Sequence, residues 1–370
     1  MIRKKESEDF LTKQVITYLG NKRSLLSFIE EAVKTVSLEL GKDKMSCLDL
    51  FSGSGIVSRF LKKYSKLLIS NDLEGYSRTI NTCYLANKSK ICKKTLKLYY
   101  QDLCSRLTND ILQEGFITEL YSPKDDCDIK NDERVFFTHR NAMYIDTARQ
   151  YMERIPSPYK EYLLAPLLYE VSVKNNTAGV FKGFYKNSKT NRGQFGGNGK
   201  NSLRRILADM EIQMPVFSRF DCECRIFQED ANKLVNMLEE VDLAYIDPPY
   251  NQHPYGSNYF MLNLVNEYKK PNDISKVAGI PAGWNKSKYN NKSTSIIQLK
   301  DLCSRLKAKY ILISFNSEGF ISREEMDSML RTFGSVRVFE KRYNTYRASR
   351  NLAQREMYVD EYLFLLKKEM

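Results

Sequence analysis

Seven short runs of apolar, β-branched or aromatic residues punctuate the chain. They are 45–51 (MSCLDLF), 66–72 (KLLISND), 224–230 (CRIFQED), 241–247 (VDLAYID), 309–315 (KYILISF), 335–341 (SVRVFEK) and 360–368 (DEYLFLLKK). Their length and polar flanks predict strands. Between most of them apolar positions recur at helical period, at 24–38, 56–64, 232–240 and 296–308. Strands alternating with helices predict an α/β fold whose parallel sheet is covered on both faces. The last two runs are separated by a short segment and are expected to pair antiparallel as a terminal hairpin. One break interrupts the rhythm. Residues 73–223 read as helices and loops, which predicts a mainly helical module inserted at 76–220, with 1–75 and 221–370 forming the main domain.

Composition narrows the class. The 370 residues are 42% hydrophobic, ample for a core, so wholesale disorder is excluded. No apolar run approaches the roughly 18 residues of a membrane span, and MIRKKESEDF has no apolar signal core. A soluble, cytoplasmic protein is expected. Eight cysteines (47, 83, 92, 104, 127, 222, 224 and 303) form no CxxC pair and read as reduced core thiols. With only His139 and His253, and neither at ligand spacing from cysteines, no metal site is expected.

Charge adds a partner. Fifty-eight Lys and Arg against 45 Asp and Glu give +13, alongside 24 Tyr and 19 Phe. A basic, aromatic-rich protein fits a polyanion whose bases stack on rings, although a Lys-rich genome gives the same bias. The charge is also uneven. Residues 173–208 hold eight Lys or Arg and no acid, with many Asn, Gly and Ser. A charge run is usually a solvated face, but Asn, Gln and Arg in a flexible acid-free stretch suit base edges and phosphates. Lys182, Lys186, Arg192 and Lys200 are the candidate DNA-binding residues there, with Arg192 the candidate base reader. Arg347, in the acid-poor stretch 341–355, is a candidate phosphate contact, and 276–300 is a third acid-poor segment.

Two motifs carry chemistry. In DLFSGSG (49–55) a strand ends and a helix begins, and glycines let the backbone approach a ligand at the sheet's carboxyl edge. Taken alone, this loop reads equally well as an ordinary strand-to-helix turn. The next strand ends in Asn71-Asp72, where an acid can hold a ribose diol. The second motif is DPPY (247–250), directly after LAYI. Consecutive prolines fix the loop. The Asp247 carboxylate and the Pro248 carbonyl can both accept hydrogen bonds from one amino group, and Tyr250 offers a flat face. An exocyclic adenine amine is a poor nucleophile because its lone pair is delocalised. Two acceptors can turn that lone pair toward an electrophile. A rigid strand-ending loop with a capping Asp is the plainer alternative.

These motifs in this order resemble the alpha-type, Dam-like adenine-specific DNA methyltransferases that use S-adenosylmethionine. TYLGNKRSLL (17–26) resembles their amino-terminal cofactor motif, DLFSGSG the FxGxG motif and NDLEGYS (71–77) the ribose-binding motif. FQEDAN (227–232) resembles the cofactor-adenine segment, and DPPYN with YGSNYFML (255–262) the catalytic motif and its flank. NTAGVFKGFYK (176–186) and LISFNSEG (312–319) are also similar to segments of this group. The resemblance implies a Rossmann-like, seven-stranded methyltransferase sheet with an inserted DNA-recognition module. It implies that Tyr18, Gly20 and Lys22 lie along the cofactor's methionine part, that Phe51, Gly53 and Gly55 wrap it, that Asp72 binds its ribose and Asp230 its adenine amine. Asp247, Pro248 and Tyr250 would hold the target base. Ala231 stands where many relatives carry an aromatic residue, so stacking on the cofactor adenine must come from elsewhere or be weaker.

The implied activity is site-specific methylation of the 6-amino group of an adenine flipped out of duplex DNA, with no metal, in a bacterial or phage restriction-modification setting. A cognate restriction endonuclease is then the natural biological partner. Methylation of the cytosine amine competes, though SPPY would be commoner there. Structured RNA, often marked by NPPY, is a further competitor, and a catalytically dead DNA-binding methylase fold is another. Ring-carbon methylation of cytosine needs a Cys nucleophile, typically after Pro, and the chain has no Pro-Cys dipeptide. Transfer to an amine needs no covalent enzyme intermediate.

Overall fold

The structure is a computed structural model and describes residues 5–344 and 358–369. Seven strands form one sheet: β1 Met45–Asp49, β2 Ser65–Asn71, β3 Glu223–Phe227, β4 Val241–Ile246, β5 Ala308–Asn316, β6 Gly334–Asn344 and β7 Tyr358–Lys368. Their order is β3-β2-β1-β4-β5-β7-β6. The first five pair parallel, and β7 runs antiparallel to both β5 and β6. All seven apolar runs are therefore strands, and the last two form the expected antiparallel pair. Central β1 and β4 are buried at every position, as a sheet covered on both faces requires.

Alternation along the strands feeds two cores. Cys47, Leu68, Leu243 and Leu312 pack against the helix Leu26–Leu40 on one face. Leu48, Ile69, Ala244 and Ile313 meet the helices Lys292–Arg305 and Arg323–Arg331 on the other. The expected helix at 232–240 is shorter than its periodicity suggests, spanning only Ala231–Leu234. Residues 235–237 continue it only as a turn, and 238–240 lead into β4 without helix. Among the described residues the cysteines are free thiols, and Cys92 and Cys127 are exposed rather than in a core. No helix among those residues is long and apolar enough to cross a membrane.

Between β2 and β3 lie helices including Lys93–Asn109, His139–Met152 and Tyr159–Val173. Their apolar faces share a third core with Phe10, Ile16 and the helix Phe260–Glu267, which follows β4. Packing thus crosses the 76–220 boundary.

Candidate active site and nucleic-acid interface

The strand order reverses between β1 and β4, where ligands of open α/β sheets bind at the carboxyl edge. That edge carries the loops holding the expected site residues. After β1 the chain turns at Gly53 (φ 48°) and Gly55 (φ 74°), both left-handed. A Cβ at Gly53 would stand 2.9 Å from Tyr18 Cε1, so glycine is what lets the loop and the amino-terminal segment meet. Asp72 fastens the loop: its carboxylate accepts from the Gly53 N–H at 2.7 Å and the Glu74 N–H at 2.9 Å.

Tyr18, Gly20, Lys22, Phe51, Gly53, Asp72, Asp230 and Asp247 line one cleft. Gly55 sits just behind it, starting the helix Ile56–Leu61. Asp230 caps the helix Ala231–Leu234, accepting from the Lys233 N–H at 3.2 Å. Among the described residues six carboxylates and one ammonium line this cleft, a local charge opposite to that of the whole protein. Burial raises the Asp49 and Glu74 carboxyls to about 7 each, with Asp72 adding to the rise of Glu74. It also raises Asp72.

Asp247 is raised to about 6 by burial, partly offset by Lys22. Lys22 Nζ lies 3.4 Å from Asp247 Oδ1, and burial alone would lower its pKa. The carboxylates of Asp247 and Glu361 outweigh burial and hold it well above the usual lysine value. Pro248 is buried. Tyr250 stands over Lys22 (5.8 Å, ammonium to ring centroid) and meets Phe315 edge-on at 5.8 Å. Asp49 Oδ1 and Asp247 Oδ1 are buried without a hydrogen-bond partner among the described residues. Buried acceptors of this kind await donors.

Several cleft residues escaped the sequence reading. Tyr18 stacks on Tyr255 (4.9 Å) and Tyr259 (4.6 Å), tying the amino-terminal segment to the flank of DPPY. Residues 285–290 fold over the cleft instead of standing apart as a basic surface. Asn285 donates to Glu74 Oε2, Asn290 to the Asn251 carbonyl, and Tyr289 to Asn232 Oδ1. Tyr289 meets Phe51 edge-on at 5.3 Å and lines the cleft with Ala231. The cleft that Ala231 lines thus has an aromatic ring at Tyr289. Asp49 and Glu74 stand within the DLFSGSG and NDLEGYS motifs, but the sequence alone singled out neither for a role.

The acid-free stretch is a scaffolded loop. Buried Asn176 donates to the Val135 and Gln194 carbonyls and accepts from the Gly196 N–H. Lys186 and Gly193 form an isolated antiparallel bridge. The Phe181 N–H donates to the Asn258 carbonyl at 2.7 Å, joining this loop to the chain just beyond DPPY. Lys182, Arg192 and Lys200 are exposed, and Lys186 is half-buried against the Phe184 ring. Arg192 Nε donates to Asn131 Oδ1 at 3.0 Å, so the expected base reader is tethered in this state. Arg347 lies outside the described residues.

A family model described as D12 class N6 adenine-specific DNA methyltransferase matches residues 18–329. The chain belongs to this class. The D12 chemistry is methylation of the adenine N6 amine in DNA, and as a methyltransferase family it uses S-adenosylmethionine. The cytosine-amine alternative is thereby set aside. Among similar proteins, Type II methyltransferase M.NlaIII of Neisseria lactamica is 30% identical over 361 residues, covering 95% of this chain and 99% of that relative. Type II methyltransferase M.CviAII of Paramecium bursaria Chlorella virus 1 is 30% identical over 362 residues, covering 95% and 98%. Type II methyltransferase M.FokI of Planomicrobium okeanokoites is 28% identical over 372 residues, which is 95% of this chain but 53% of that relative.

Proposed function

We propose that this D12-class enzyme is the modification methylase of a restriction-modification system, working in the cytoplasm on one duplex sequence whose adenine it flips into the cleft. The observation that carries this reading is the position of Asp247: at the end of β4, beside the glycine loop of β1, with a buried oxygen lacking a hydrogen bond. Asp247 and the Pro248 carbonyl accept the two N–H bonds of the target amine and turn its lone pair outward, and Tyr250 provides a ring face.

The cleft's own residues fit S-adenosylmethionine, which supplies an electrophilic methyl group when bound. Six carboxylates suit its positive charges. Tyr18, Gly20 and Lys22 follow the methionine part, and Phe51, Gly53 and Gly55 leave room for it. Asp72 binds the ribose hydroxyls and Asp230 the adenine amine, with Tyr289 stacking where Ala231 cannot. The inserted residues 76–220 read the DNA, with Lys182, Lys186, Arg192 and Lys200 facing it. Extrusion of the base costs a few kcal/mol, which DNA contacts offset. Base-resolved modification sequencing of DNA from cells expressing this chain tests the reading. One methylated adenine within one sequence is expected, and unmodified DNA overturns it.

A further inference from the structure

Because β7 runs against β5, its first residues, not its last, reach the carboxyl edge of the sheet. Glu361 pairs there with Asn316, the last residue of β5. It is a buried carboxylate, 5% exposed. Its Oε2 lies 3.6 Å from Lys22 Nζ, and Asp247 Oδ1 lies 3.4 Å from the same nitrogen. Both distances exceed a charge-assisted hydrogen bond of about 2.8 Å. Neither oxygen has a hydrogen-bond partner among the described residues.

One buried ammonium thus stands between two buried carboxylates and closes on neither. With Asp247 alone, a buried lysine would be expected to contract into a closed pair, since burial makes an open one costly. That contraction would draw the carboxylate toward the ammonium and away from the cleft that Asp247 lines. We propose that Glu361 is a positioning residue for methyl transfer: by sharing Lys22, it keeps the Asp247 carboxylate from turning onto the ammonium and keeps the trio net negative. The inference rests on Asp247 being the acceptor of the target amine, as argued above. A net negative site also favours the positive charge that passes from the sulfonium to the amine nitrogen as the N–C bond forms and the S–C bond breaks to leave a neutral thioether, before the nitrogen gives up one proton to water. The other titratable groups facing Asp247 are Asp49, Tyr245, Tyr250 and Tyr255. Among the described residues none of these groups is a second cation for Lys22's two partners. Glu361 itself is one of the groups that raise Asp247.

The test is single-turnover methyl transfer against pH for wild type, Glu361→Gln, Glu361→Asp and Asp247→Asn. In Glu361→Gln the rate should fall on the order of tenfold, as when a partner that orients a site residue is lost. Cofactor and DNA affinities should stay within about twofold. The acid limb of the profile should move to lower pH, because Lys22 now pairs with Asp247 alone. Glu361→Asp keeps the charge one methylene further back, so its limb should move the same way by less. An acid limb that stays put in both variants overturns the proposal, and so does one that stays put in Glu361→Asp should the Gln protein fail to fold. If the limbs stay put while Asp247→Asn is inactive, only the role of Glu361 falls. A fully active Asp247→Asn protein removes the reading of Asp247 itself.

Discussion

Among the described residues, six carboxylates and a single ammonium line the cleft of a protein whose net charge is +13. Residues 173–208, in contrast, hold eight Lys or Arg and no acid. The contrast extends to how each region is held. In the cleft the candidate side chains themselves are fixed: Asp72 by two backbone N–H groups, Tyr18 by stacking on two rings, Lys22 between two carboxylates. In the basic loop the backbone is fixed through Asn176, while Lys182, Arg192 and Lys200 reach solvent. A region that performs chemistry must place particular atoms before its ligand arrives. A region that meets a long polyanion needs a held frame and movable charges, since phosphate attraction is long-range and tolerant.

Substitutions should divide along this line. The largest effect belongs to Asp247→Ala. Tritiated-methyl incorporation into duplex DNA should drop by at least about a hundredfold, the scale of losing a principal electrostatic group, while DNA affinity measured by anisotropy stays near wild type. Equal losses in both would blur the two regions into one. Next comes Asp72→Ala, which removes the carboxylate that holds the Gly53 and Glu74 N–H groups and that is proposed to bind the ribose. Calorimetry should show S-adenosylmethionine binding weaker by roughly 1.5–3 kcal/mol, and unchanged affinity would take Asp72 out of the cofactor site.

The basic loop gives smaller, sequence-dependent effects. Arg192→Ala should cost about 1–3 kcal/mol on the cognate duplex and little on a scrambled one, once DNA draws the guanidinium from Asn131. Lys182→Ala should weaken both duplexes alike and lower the salt slope by about one. Identical behaviour of the two variants would make Arg192 a phosphate contact.

The smallest effect is a pH trend in stability. Asp49 and Glu74, raised to about 7, and Asp247, raised to about 6, bind more protons folded than unfolded between the ordinary carboxylate range and those values. Their contribution to stability therefore falls as pH rises through that window. A cationic cofactor favours the ionised carboxylates, so it should raise the melting temperature more at pH about 7.5 than at about 5.5. An equal rise at both would mean that these acids do not sense the cofactor.

The sheet was legible from the sequence because buried strands must be apolar runs and their ends must be turns. The glycine loop, Asp72 and Asp247 were legible because few residue types can do what those positions require. Glu361 was not, since an acid in the run DEYLFLLKK reads as a strand's polar end until the antiparallel turn of β7 brings it to Lys22. Tyr289 and Asn285 were hidden in an acid-poor segment whose composition suggested DNA. Only the folding of 285–290 over the cleft gives them their neighbours. Arg192 shows the reverse, a residue type well suited to guanine whose present partner is Asn131.

The helices between β2 and β3 share one core with Tyr259, Phe260, Met261, Leu264 and Val265, which lie on the far side of β4 in sequence. Anyone grafting a relative's specificity onto this enzyme would meet that seam. An exchange of residues 76–220 alone would set a foreign surface against this native apolar face, and cores tolerate such mismatched volume poorly. The unit of exchange is two pieces of chain, with the stretch after DPPY travelling alongside the insertion. New sequence preferences in this scaffold would then have to be acquired by paired changes on either side of the catalytic motif, or by substitutions confined to the exposed tips of the basic loop.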